Sequence, residues 1–233
     1  MRFPHANSKS ILLGVALAVL MTGTAFGGGL TPGLHLDETH RNESHTGEVL
    51  DGIVLDGSDL RRTDFTGTSF VGASFDVSTI SSNSTNLDRA ILDATDLSGA
   101  TFIDAGVSRI SAVGATAIAT DWSGADLSRA DFDGADLTLA VFSSSTNLFN
   151  TDFLNADLAM ANFDDVDLSR VLNLGSANLT GATYTSNTLL PSGFDPNLHG
   201  MILPEPSHAL LLLTGVGGLA VFNRKVKATR PTS

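Results

Sequence analysis

The residues that could do chemistry in this chain are its histidines and its acids. Three of the six histidines, His35, His40 and His45, recur every five residues beside Asp37, Glu38 and Glu43. Imidazole and carboxylate are common zinc ligands and common partners in proton transfer. The spacing argues against both uses. Five residues is not the three or four that brings side chains onto one helical face, and no zinc-type ligand motif is present. The segment therefore reads as solvated and polar, with no metal and no cofactor. The other histidines, His5, His199 and His208, lie towards the two ends of the chain. A Ser-His-Asp set would have to bridge the middle of the chain and an outlying segment, which gives poor preorganisation. No cysteine is available as nucleophile, thiol ligand or disulfide partner. Neither a phosphate loop nor a dinucleotide fingerprint occurs. No catalytic residue is assigned, and the chain reads as non-enzymatic.

The acids are ordered. Between Asp121 and Phe142 the large residues Trp122, Leu127, Phe132, Leu137 and Phe142 recur every five positions. Asp121, Asp126, Asp131 and Asp136 stand one position before the first four of these, and Ala125, Ala130, Ala135 and Ala140 two before the last four. A period of five is neither the 3.6 of a helix nor the 2 of an ordinary strand, and it signals a repeat architecture. If each unit is one side of a square coil, the large residue points inward and so does the small one two before it. The Asp or Asn between them, and the two residues that follow, face water. Four units, about 20 residues, close one turn, which pairs its backbone with the next turn at ~4.8 Å.

This Ala-Asp-Leu-x-x pattern resembles the pentapeptide-repeat family. The resemblance implies an all-β fold, a right-handed quadrilateral β-helix over residues 48–190. Counting fives from Leu50 to Leu189, with slips at Ser81–Asn86, at Ser143–Asn147 and before Leu174, gives about seven coils. Sorting the inward residues by fours predicts one largely aromatic wall of Leu60, Ile80, Phe102, Trp122, Phe142, Phe163 and Tyr184. The first two slips follow this wall and should bulge as polar loops from one edge. The coil holding Ala112 and Ala117 looks underfilled. Either Ile110 compensates, or the register shifts locally to Val113 and Ile118. Asp131 should lie over Asp152 and Asp136 over Asp157, pairs that are either hydrated or weak sites for a divalent cation. Phe149 and Leu154 should face outward.

The flanks read as addresses. Residues 1–27 have a basic start (Arg2, Lys9), an apolar core from Ile11 to Leu20 and small residues up to Gly27, the form of a signal helix cut by signal peptidase. Residues 28–47 read as a linker or N-terminal cap, and 191–203 as a C-terminal cap and linker. In 204–233, Pro204, Glu205 and Pro206 precede an apolar run (Ala209–Phe222) and a basic tail of Arg224, Lys225, Lys227 and Arg230. This arrangement resembles the PEP-CTERM sorting signal of Gram-negative bacteria. It implies a C-terminal hydrophobic transmembrane helix, transient anchoring in the inner membrane, processing by an exosortase, and delivery to the cell surface or extracellular matrix.

Charge bounds the partners. The chain carries a formal net charge of -12. Such an acidic surface keeps stacked sheet edges soluble and argues against nucleic acid as a partner. The reading that results is a structural or interaction protein facing extracellular polysaccharide or surface proteins. The alternative is a cytoplasmic pentapeptide-repeat protein that imitates duplex DNA and protects topoisomerases; the two address segments count against it.

Overall fold

The computed structural model describes residues 41–77 and 83–204. The signal segment, most of the linker, Ile80, Glu205, Pro206 and the basic tail lie outside the described residues. The chain divides into Met1–Ile202, which holds the coil, and Leu203–Ser233, of which Leu203 and Pro204 are described. Among the described residues there is no α-helix; one 3-10 turn, Leu174–Ser176, interrupts the coil.

Parallel bridges build four walls, each formed by the residue just before an inward centre. One ladder runs Val54, Ser74, Thr101, Asp121, Val141, Asn162, Thr183, Ile202. It therefore stacks Phe75, Phe102, Trp122, Phe142, Phe163 and Tyr184, here called the Trp122 wall. The next three walls in chain order are named for Leu127, Phe132 and Leu137. Centres are sealed from water: Phe102, Trp122, Leu127, Phe132 and Leu137 are fully buried. The small positions are buried too, and where Thr replaces Ala its hydroxyl is satisfied. Thr68, Thr95, Thr120 and Thr151 each donate to a carbonyl one coil below, of His45, Phe65, Leu97 and Leu127 respectively. A β-branched residue thus fits the narrow second row without orphaning its oxygen.

The corners explain the two variable positions of each unit. The centre's carbonyl accepts from the N–H three residues on, as between Trp122 and Ala125 at 3.1 Å. The third residue of that turn has positive φ, from Gly52 and Gly57 to Arg109 and Arg129. This is the position where a type II turn demands it.

The structure corrects the sequence reading in several places. Leu60 does not begin the aromatic wall. Asp59 pairs with Asn86, which puts Leu60 under Leu87 on the Leu127 wall, and Phe75 stands under Phe102. Between these partners the ladder advances 27 residues rather than 20, so the segment from Asp76 to Thr85 contains an insertion rather than another side. Leu189 is not a centre: it is 54% exposed, pairs with Asp167, and leaves Leu190 packed against the core. An unforeseen slip at Thr185–Thr188 causes this, and it leaves the Trp122 wall at the same edge as the slips after Phe75 and Phe142. His45 is not solvated. It is fully buried at a centre position and stacks on Phe65 at 5.7 Å, while Ser44 already pairs with Asp64. The coil thus reaches from Ser44 to Ile202, into both segments read as linker or cap.

The choice left open at Ala112 and Ala117 is resolved. Both are buried, Ile110 is buried at a small position, and Val113 is 39% exposed, so the register holds. Val107, Ala112, Ala117 and Trp122 are the four sides of one turn. The largest side chain shares a turn with the two smallest centres, and the indole meets Phe132 of the facing wall edge-on at 5.7 Å. Large and small centres offset each other within one layer, as close packing requires.

Candidate functional site

The repeating carboxylates are the groups that catalysis on this coil would need. Each Asp or Asn before a centre turns back on its own corner. Asp121, Asp126, Asp131, Asp136, Asp152 and Asp157 accept from the backbone N–H two residues on, at 2.9–3.1 Å. Short acidic side chains favour this turn-capping geometry. At Ser69, Ser74, Thr101 and Ser111, which take the position of that acid, an Asp from the coil below supplies the cap. Asp51 accepts from Ser69 Oγ and Val71 N, and Asp93 from Ser111 Oγ and Val113 N. Asp76 serves Thr101 and Ile103 in the same way. The periodic acid is therefore a backbone-satisfying group as well as a solubilising one.

Asp131 does pair with Asp152 and Asp136 with Asp157. Asn173 and Asn178 donate further bonds to Asp152 and Asp157, at 2.7 and 3.0 Å. Among the described residues no group of three or more His, Asp or Glu is placed to hold a metal ion. His45 lies 3.2 Å from Glu43 and 3.5 Å from Glu48 within the first described turn. Of the predicted aromatic wall, Phe102 stacks on Trp122 at 4.3 Å and Phe142 on Phe163 at 5.0 Å. Pro204 is described and exposed, whereas its partners in the sorting motif fall outside the described residues. No helix among the described residues is long and apolar enough to cross a membrane.

A second set was not seen in the sequence. All seven arginines of the described residues fall on one edge, the corner after the Leu127 wall. Arg41 and Arg61 take the first corner position, while Arg62, Arg89, Arg109, Arg129 and Arg170 take the second. Two carboxylates are engaged there. Asp59 receives Arg41 and both Nε and Nη2 of Arg61, and the Arg61 guanidinium holds its carboxyl well below the usual carboxylate range. Burial opposes this, and the bonds from Arg61 and then Arg41 outweigh it. Asp88 is also lowered: burial would raise it, but the Ser108 hydroxyl and Arg109 at 2.8 Å prevail. Among the described residues Arg62 and Arg129 have no side-chain hydrogen bond or ion pair, and Arg89 only a 3.9 Å approach to Asp88. In the turn that lacks an arginine, Phe149 is 41% exposed with the Arg170 guanidinium 5.8 Å from its ring centroid. The signal was available as a run of corner positions 20 apart, Arg89, Arg109 and Arg129, but it becomes an edge only once the insertion after Phe75 is placed.

Comparison with known proteins follows this geometry. No curated protein matches the chain by sequence. Solved structures include HetL from the cyanobacterium Nostoc sp. strain PCC 7120, involved in heterocyst differentiation regulation. It is 21% identical over 82% of this chain and 92% of its own, with a TM-score of 0.43. The pentapeptide repeat protein alr5209 from Nostoc PCC 7120 is 30% identical over 50% of this chain and 86% of its own, with a TM-score of 0.35. QnrB1, a plasmid-mediated fluoroquinolone resistance protein, is 24% identical over 77% of this chain and 95% of its own, with a TM-score of 0.35. The family model for pentapeptide repeats matches eight copies, over residues 49–76 and 112–144. Both matched stretches lie inside the buried five-residue register, and the chain belongs to the pentapeptide-repeat proteins.

Proposed function

We propose that this protein is a non-enzymatic interaction rod, exported and then sorted to the cell surface or extracellular matrix. One observation carries the non-enzymatic part: the periodic carboxylates cap corner N–H groups along the coil instead of converging on a cleft. What remains for recognition is the outer surface. In this reading signal peptidase removes residues 1–27, the C-terminal helix holds the chain in the inner membrane, and an exosortase acts near Pro204, Glu205 and Pro206. The partners are extracellular polysaccharide or surface proteins. The DNA-imitating alternative is not favoured, because a duplex is negative on every side and this coil carries an arginine in most turns of one edge.

Fractionation of the native host, with mass spectrometry of both mature termini, tests the export. The expected product begins after Ala25 or Gly27, ends near Pro204 and is recovered outside the cytosol. An uncut chain in the cytosol would overturn it.

A further inference from the structure

We propose that the arginine edge is a docking track for a linear polycarboxylate, an acidic glycan whose carboxylates run parallel to the coil axis. Three features of the edge point to this ligand. The first is pitch: Arg89, Arg109 and Arg129 follow one another in successive coils, so guanidinium-bearing corners repeat at ~4.8 Å along a straight line. A folded protein partner rarely presents charges in such a row, whereas a polymer with an acid on each sugar does. The second is valence. All the cations are arginine, whose planar fork matches a carboxylate bidentately, and Arg62, Arg89 and Arg129 are not engaged at hydrogen-bond distance by any side chain of the described residues. The third is conformation. Arg62, Arg89, Arg109 and Arg129 all have φ of 56 to 61°, at a position that Gly occupies at many other corners. An L-residue there is strained relative to Gly. Four arginines at one corner accept that strain, as Ala94, Ala119, Leu139 and Met160 do elsewhere, and no side chain of the described residues hydrogen-bonds the guanidinium of Arg62 or Arg129.

The end of the track separates glycans from denser polyanions. Phe149 offers an exposed aromatic face beside Arg170, a surface on which the apolar side of a sugar ring can lie. Asp59, Asp126 and Asp167 flank the edge on the Leu127 wall. They repel inorganic polyphosphate, with a charge at every phosphorus, more than a chain with a single carboxylate per sugar. The proposal names a ligand class for the interaction surface of the preceding section, and its test in vitro is indifferent to where the chain is delivered.

The test uses the purified full-length chain and polygalacturonate without divalent cations, read by calorimetry across a salt series. The other arms are neutral dextran, a single-stranded oligodeoxynucleotide and inorganic polyphosphate. Polygalacturonate should bind, with log K falling linearly as log salt rises. The triple variant Arg89→Gln, Arg109→Gln and Arg129→Gln removes the charges while keeping an unbranched polar side chain and the corner strain. It should bind at least about tenfold more weakly and with a shallower salt slope. If the triple variant unfolds, Arg129→Gln alone should still weaken binding several-fold at an unchanged melting temperature. Absence of polygalacturonate binding, binding indifferent to these substitutions, equal binding of dextran, or tighter binding of the oligonucleotide or polyphosphate would each overturn the proposal. None of these outcomes bears on the processing of the termini.

Discussion

At the residue scale, Trp122 is the informative position. Its indole is fully buried, stacks on Phe102, and shares a turn with Ala112 and Ala117, yet Nε1 has no hydrogen-bond partner among the described residues. Packing thus outweighs an orphaned donor whose desolvation costs about 1–3 kcal/mol. Two substitutions separate these terms. Trp122→Ala opens a cavity between two alanine sides and should lower stability by about 3–5 kcal/mol in chemical denaturation. Trp122→Phe removes the orphan N–H along with less volume, and should cost well under half of that. If the two variants lost equal stability, the polar term would be absent and the ring edge alone would matter. Residue identity at the centres was legible in the sequence because burial selects Leu, Phe and Trp every fifth position. His45 was not, since an imidazole between acids reads the same whether it is solvated or the first plate of a stack.

At the element scale the corner is the unit, and its chemistry was half legible. Asp before many centres was visible; its bond to the N–H two residues on was not, because a solvated acid and a capping acid have the same pattern. Asp136→Ala should therefore destabilise by about 1 kcal/mol, although the residue faces outward, and Asp136→Asn should recover most of it. Two acids give opposite pH signatures. Asp59, held low by Arg61, binds protons less readily folded than unfolded. Its stabilisation is present above about pH 3.9, the unfolded value, and is lost as pH falls through the lower folded one. Asp76 is raised, chiefly by burial and in spite of the Ile103 N–H and the Thr101 hydroxyl. Stability should thus rise as pH falls from its folded value towards the unfolded one. In acid titrations of melting temperature, Asp59→Asn should converge on the unsubstituted chain as pH drops, while Asp76→Asn should lack the gain. Register across slips was the part the sequence hid. Ile80 keeps the period of five across a stretch where the ladder advances 27 residues instead of 20, and the adjacent Leu189 and Leu190 satisfy either frame.

At the scale of the whole coil, each turn contacts only its neighbours, so stability should be additive by turns rather than concentrated in a nucleus. That makes register testable without touching a single contact type. Removing residues 98–117 takes out one complete turn of 20 and joins Leu97 to Ile118 at the same corner of the Leu137 wall. Trp122 then lands over Phe75 instead of Phe102, and every later centre stays inward. Removing residues 98–119 instead shifts the following centres by two positions and turns the large residues into the narrow row filled mostly by Ala and Thr. The first variant should unfold cooperatively at a reduced melting temperature and keep the far-ultraviolet dichroism of the parent per residue. The second should lose that dichroism, because a slip of two puts Trp122, Leu127 and Phe132 where the interior has no room. Equal behaviour of the two deletions would mean that the walls are not locked to a 20-residue turn, and the arginine edge, which exists only through that lock, would dissolve with them.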